Sequence, residues 1–272
     1  MRHLAAPLLI VAVWALTAAP PVSTAQPEPD TEVRAIIDKA VARTRWAEEQ
    51  AYETRYRQSM TQRTRKYDGD GEVTEDETRV YLVEPYLGVP YSTLISKDGT
   101  PVEGGDLEKE KSRWREFVKA LENPEDPGED EEDDNEIAFD EELLSRYTAT
   151  LDGIRELGGR PSYVLTFQPK PGKLPVRRRI DHALNKSRGE IWIDQQSYEV
   201  ARVTFQLMDR VRIWGGLLGS VSDATGHIER RRVTEGVWLP SEVDIYYHVR
   251  VLFSTNRRGE TTQWSQFEPV AD

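Results

Sequence analysis

Between Thr31 and Trp46 the apolar residues Val33, Ile36, Ile37, Ala40 and Val41 recur at spacings of three and four, with charged residues between them. A helical turn takes about 3.6 residues, so this spacing gathers the apolar side chains into one stripe and predicts an amphipathic helix, with Asp30 or Thr31 as its N-cap. The period then changes to two. Tyr52, Thr54, Tyr56, Gln58 and Met60 alternate with Arg55 and Arg57, the pattern of a strand with one charged, solvated face. Asp68-Gly69-Asp70-Gly71 predicts a hairpin turn into Val80-Tyr81-Leu82-Val83, since glycine supplies the positive φ angles of tight turns, and Lys97-Asp98-Gly99 signals a second hairpin. Helical spacing returns from Asp106 to Leu121, where Leu107, Trp114, Phe117, Val118 and Leu121 form one stripe, and a short helix is expected from Asp140 to Tyr147.

From Thr148 onward the strand period dominates. Thr148 to Leu157 leads through Gly158-Gly159-Arg160 into a strand with Tyr163, Leu165 and Phe167 on one face, closed by Pro169-Lys170-Pro171-Gly172. After the basic loop Arg177-Arg178-Arg179 comes Gly189-Glu190-Ile191-Trp192-Ile193-Asp194, and Gln195-Gln196 is the expected hairpin into Tyr198 to Met208, where Ala201, Val203, Phe205 and Leu207 alternate. Past the glycine-rich run Trp214 to Gly219, strands are expected at His227 to Val233, at Val237 to Phe253 and around Trp264 and Phe267. Strands in hairpin order with two or three helices predict an α+β chain that is mainly antiparallel β: one strongly curved sheet with helices against one face.

The first residues read differently. Met1-Arg2-His3 precedes an uncharged run from Leu4 to Ala19, Pro20-Pro21 ends it, and Ser23-Thr24-Ala25 offers small residues for a signal peptidase. The run falls short of the roughly 20 residues that span a bilayer and contains Pro7. A signal peptide over residues 1–25, cleaved after Ala25, is therefore expected, followed by a single domain over 26–272 in the periplasm or otherwise outside the cytoplasm. The chain has no cysteine, which excludes thiol chemistry and cysteine metal sites, and a domain of this size needs no disulfide staples. Its formal charge of −12 makes nucleic acid and anionic membrane surfaces poor partners. Much of the acidity sits in residues 123–136, around Glu129 to Glu136; such a run repels itself and is read as a solvated flexible insert.

A search for catalytic patterns returns none. His182, His227 and His248 lie far apart, there is no His-Glu-x-x-His or Gly-x-Ser-x-Gly pattern, and Gly215-Gly216-Leu217-Leu218-Gly219 lacks the lysine of a phosphate loop. Asp68, Asp70, Gly71 and Glu77 match positions 3, 5, 6 and 12 of a calcium loop, but position 1 is Lys66, whose ammonium stands where a carboxylate is required. The expectation is a non-enzymatic protein with no catalytic residues, metal or cofactor.

Four segments in order carry a family resemblance: Gly159-Arg160 with Tyr163-Val164-Leu165 and Pro169-Lys170-Pro171; Gly189-Glu190-Ile191-Trp192-Ile193-Asp194; Glu235-Gly236-Val237-Trp238-Leu239-Pro240; and Trp264-Ser265-Gln266-Phe267. Over roughly Leu157 to Phe267 the chain resembles the outer-membrane lipoprotein-sorting and carrier proteins of Lol type, in particular their uncharacterised secreted members. The resemblance implies an incomplete antiparallel barrel covered by helices, with an apolar cavity that takes up a lipid or lipoprotein acyl chains. Phe167, Trp192, Phe205, Leu207, Trp214 and Trp238 are the expected lining of such a cavity. The alternative is a periplasmic sensor or protein-interaction domain of the same fold, with the acidic insert as docking segment for an envelope protein.

Overall fold

The computed structural model describes residues 31–122, 137–213, 219–251 and 254–270. The expected signal peptide and the acidic insert lie outside them. Helix α1 spans Thr31–Gln50 and buries Val33, Ile36, Ala40 and Val41, four of the five residues whose spacing predicts it. A 3₁₀ turn at Tyr52–Arg55, entered through Ala51 in the left-handed region at φ 47°, replaces the first residues of the expected strand. The strand itself, β1, runs from Tyr56 to Tyr67.

The remaining elements are β2 (Val73–Tyr86), β3 (Val89–Lys97), β4 (Thr100–Pro101), α2 (Gly104–Glu122), α3 (Glu141–Ser145), β5 (Tyr147–Leu157), β6 (Arg160–Pro169), α4 (Asp181–Leu184), β7 (Ser187–Asp194), β8 (Val200–Leu207), β9 (Val211–Ile213), β10 (Gly219–Thr234), β11 (Val237–Val251) and β12 (Ser254–Pro269). Helix α3 is capped by the Asp140 carboxylate, which accepts the Leu143 amide at 2.8 Å. It stops two residues before the expected Tyr147, because Tyr147 and Ala149 are drawn into the sheet, where they pack on the core. Other features depart from the expectation, among them the short strand β9. Leu87 and Gly88, at φ 51° and 82°, make the two-residue turn between β2 and β3, a position that leucine rarely occupies. The four-residue α4 follows the basic loop. Strand β10 begins at Gly219, eight residues before the expected His227, because its ladder with β11 extends over Gly, Ser and Asp positions of low strand propensity.

All strands join one twelve-stranded sheet in the order β4-β3-β2-β1-β12-β11-β10-β8-β7-β6-β5, with β9 pairing β10 beyond the end of β8. Every pairing is antiparallel. The path does not close, so the expected class is what forms: a largely antiparallel, unclosed sheet with helices. Its β12 lies between β1 and β11, so the first strand is paired with the last.

The larger core sits between α1 and β5 to β8. Val33, Ile36 and Ala40 of α1 meet Leu165 and Phe167 of β6 and Ile191 and Ile193 of β7, with Ala149, Leu151, Val203 and Phe205 packed around them. The register sets two phenyl rings over two glycines: Phe167 faces Gly189, Gly189 faces Phe205, Phe205 faces Gly226, and Gly226 faces Ile245. A Cβ on Gly189 would lie 1.8 Å from the Thr204 carbonyl oxygen and 3.0 Å from the Phe167 ring, and one on Gly226 would lie 2.9 Å from the Phe205 ring. Glycine is therefore required at both positions. A second, smaller cluster joins Tyr56, Val237 and Leu239, with Tyr52, Val233 and Phe267 against it.

The β3 edge is shielded by α2. Glu110 accepts the Leu94 amide at 3.1 Å, Arg113 donates to the Ser92 carbonyl at 3.1 Å, and Trp114 and Phe117 pack on Tyr86 and Tyr91. Such cover removes free backbone groups from a strand that could otherwise pair with another chain.

Candidate functional site

Cross-strand register divides the sheet into two chemically different faces. The face under α1 is apolar from β6 to β11. Its rows run Leu165–Ile191–Val203–Ile228–Val243 and Phe167–Gly189–Phe205–Gly226–Ile245, and Tyr247 and Val249 continue it along β11. Helix α1 packs over the β5 to β8 part of these rows. Beyond it, Ile228 is 41% exposed, and Val243, Ile245, Tyr247 and Val249 are only partly buried. These residues form an apolar strip beside the helix.

The opposite face is a lattice of charges. Trp192 stands between the guanidinium groups of Arg155 and Arg202, 5.0 and 5.7 Å from its ring, and donates its indole N–H to Glu190 at 3.1 Å. Arg202 pairs with Glu229, and Arg63 pairs with Asp76. His227 lies 2.8 Å from Glu242, whose other oxygen accepts from Gln263 at 2.9 Å. His227, Glu242 and Asp244 offer ligand atoms within 4.8 Å of one another, a donor set that could hold a divalent cation. The hydrogen bond from Gln263, and after it the one from His227, keep the Glu242 carboxyl below its ordinary range.

Three buried charge clusters tie loops and helix to the sheet. Arg160 holds Asp194 in a two-pronged pair at 2.7 and 2.9 Å, and Asp194 also accepts the Ser197 amide and hydroxyl, both at 2.8 Å. Burial opposes the Asp194 charge, but these bonds outweigh it and hold its pKa below the usual carboxylate range. Glu199 is fully buried between Arg43 of α1 at 2.7 Å and Arg230 of β10 at 2.6 Å. The same two arginines donate to the carbonyls of Gly236 and Trp238. Arg146, 2% exposed, lies 3.1 Å from Asp181 and donates to the Pro175 carbonyl and the Asn185 side chain. Asp181 is likewise lowered: burial opposes its charge, but the Arg177 and Arg178 amides and Arg146 prevail. Three of the four sequence signatures thus take part in these clusters: Gly-Arg supplies Arg160, Trp-Ile-Asp supplies Asp194, and Gly-Val-Trp supplies the carbonyls that Arg43 and Arg230 take. The Arg146–Asp181 pair, 35 residues apart, left no local signal.

The expected cavity residues are not gathered at one place. Phe167, Phe205 and Leu207 share the α1 face, the first two within or against the core and Leu207 buried farther along β8. Trp192 lies on the charged face. Trp238 is 5% exposed, with the Arg160 guanidinium 5.7 Å from its ring and its indole N–H without an acceptor among the described residues. Trp214 lies outside the described residues.

No family model matches the sequence, and no curated protein matches it. Among solved structures, the chain is similar to a LolA-superfamily protein from Nitrosomonas europaea, at 14% identity and a TM-score of 0.27 over 88% of this chain and 93% of that one. It is similar to the lipoprotein LppX of Mycobacterium tuberculosis, at 12% identity and 0.28 over 86% and 98%. It is also similar to a chain of the MucA/MucB complex of Pseudomonas aeruginosa, at 12% and 0.23 over 85% and 100%. The first of these bears the name of the group that the sequence resembles. At such TM-scores the likeness carries no functional argument, and the reading below rests on this chain's own geometry.

Proposed function

We propose that this chain is an exported, non-enzymatic binding protein that holds an apolar ligand, a lipid or the acyl chains of a lipoprotein, against the α1 face of its sheet. The carrying observation is the apolar strip that continues past α1: Ile228, Val243, Ile245, Tyr247 and Val249 alternate with polar residues that face the other way, yet remain partly open. Covering about 25 cal/mol per Å² of apolar surface is a non-directional drive that suits a flexible hydrocarbon. Phe205 stands at the boundary between core and strip, and Phe167 and Leu207 back it from the same face. Of the other residues expected from the sequence, Trp192 faces the opposite side and is not part of this lining, Trp238 is buried beside Arg160, and Trp214 lies outside the described residues. On the opposite face Asp76, His227, Glu229 and Glu242 are engaged in ion pairs and hydrogen bonds, in keeping with a binding role.

The test is native mass spectrometry with lipid extraction on residues 26–272 purified from the periplasm after export of the full chain. A lipid or acylated peptide at fixed stoichiometry, lost in Ile245→Asp but retained in Thr261→Asp on the charged face, supports the proposal. A ligand-free mass for the wild-type protein overturns it.

A second reading, recognition of an envelope protein, is favoured by the tip of the β2–β3 hairpin. There Leu87 is 77% exposed beside Tyr86, Val89 and Trp114, each more than a third exposed. Leu87→Asp with Trp114→Ala would abolish partner recovery and leave lipid binding intact.

A further inference from the structure

On the charged face, the far ends of β10, β11 and β12 meet the β1–β2 turn in a cleft of about 300 Å³. Its chemistry inverts that of the molecule, whose formal charge is −12. Register places Arg250 of β11 between Ser220 of β10 and Thr255 of β12, and places His248 directly opposite Arg257, which is opposite Tyr67. Arg210 enters from the segment between β8 and β9. Arg257 donates to the Asp68 and Gly69 carbonyls at 3.2 and 2.7 Å, which fixes one guanidinium at the rim. Asp68 contributes the cleft's one carboxylate, and its Oδ1 is engaged by the Asp70 and Glu72 amides, each at 2.9 Å.

Elsewhere on this face, arginines meet carboxylates across the strands, as Arg202 does Glu229 and Arg63 does Asp76. Among the described residues Arg210, Arg250 and Arg257 have no carboxylate partner. Arg257 stands two positions along β12 from Thr255, the partner of Arg250, so the two arginines are diagonal neighbours on this face, and an anion between them would offset their repulsion. Guanidinium groups with adjacent hydroxyls are the donors that take up a tetrahedral oxyanion by charge-assisted hydrogen bonds.

We propose that this cleft is a phosphate-binding site, in which Arg250, Arg257 and Arg210 neutralise the anion and Ser220 and Thr255 donate to its remaining oxygens. The anion is either free phosphate or the phosphate of a lipid headgroup. The site opens on the face opposite the apolar strip, so the inference does not rest on the apolar-ligand reading.

The test is a calorimetric titration of the mature protein with inorganic phosphate at constant ionic strength, repeated with sodium chloride alone. Saturable binding is expected with phosphate and not with chloride, weakened at least tenfold in Arg250→Ala and again in Arg250→Gln, and unchanged in Arg115→Ala, a control on the exposed surface of α2. Circular dichroism establishes that each variant is folded. Absence of saturable binding, or equal loss in Arg115→Ala, overturns the proposal. Monomeric dihexanoylphosphatidic acid then distinguishes the source: tenfold tighter binding than phosphate assigns the site to a headgroup, and equal binding assigns it to the free ion.

Discussion

Under α1, the strands β6 and β7 carry Leu165 and Ile193 with no exposed surface, whereas no residue of β10 or β12 is buried, although both belong to the same sheet. The first half is held as a packed core, by apolar side chains closing on a helix. The second is held by the hydrogen-bond ladders of long strands and by cross-strand pairs such as Arg202 with Glu229. The two kinds of cohesion differ in what they leave free. A packed core uses up its apolar surface, while a ladder satisfies the backbone and leaves side chains on both faces available, which is where the apolar strip and the basic cleft are found.

The contrast is sharpest at the buried charges of the first half. Arg146→Leu leaves Asp181 buried and unpaired, and a loss of about 4 kcal/mol in urea denaturation is expected. A loss no larger than that of an exposed arginine would mean that water already reaches Asp181. Leu165→Ala should cost about 3 kcal/mol through the cavity it opens, against less than about 1 kcal/mol for Ile228→Ala on the strip. Equal costs would break the division between core and strip. Glu110→Gln on α2 replaces a charged acceptor by a neutral one at the β3 edge, and about 1 kcal/mol is expected. Its more telling readout is amide exchange at Leu94, which should quicken.

The pH dependence follows from the same pairs. Asp181 and Asp194 titrate lower in the folded chain than in the unfolded one, so the unfolded chain binds more protons in acid. Their contribution is complete above the ordinary carboxylate range near 4 and is lost as pH falls through their folded values. The urea midpoint should hold steady above about pH 5 and drop below it. In Asp194→Asn the midpoint is lower at pH 7 and the acid slope shallower; an unchanged slope would show that the pair does not report on folding.

Much of this architecture was legible because its signals are local. The spacing of Val33, Ile36 and Ala40 sets the face of α1, and the alternation from Val243 to Val249 sets the strip. Phe167 and Phe205 fall on the same face because the two strands are in register through Gly189. Trp192 goes to the other face because it alternates with Ile191 and Ile193, which the core claims. Which face lies under α1 is decided by packing between distant segments, so strand parity alone could not assign Trp192. The Arg146–Asp181 and Arg43–Glu199 pairs are tertiary for the same reason. Leu87 at positive φ escaped notice because the turn overrides the preference of its residue.

The placement of β12 bears on when the chain can fold. Strand β1 cannot complete its pairing until residues 254–269 exist, because its neighbour on that side is the last strand and not the next one. A nascent chain ending at Leu207 has β5 to β8 to pair with one another and β1 to β4 to pair as a meander, but leaves one flank of β1 free. Closing a contact across so much sequence is slow. For the exported chain proposed above, the step that locks the sheet is thereby held back until residues 254–269 have emerged.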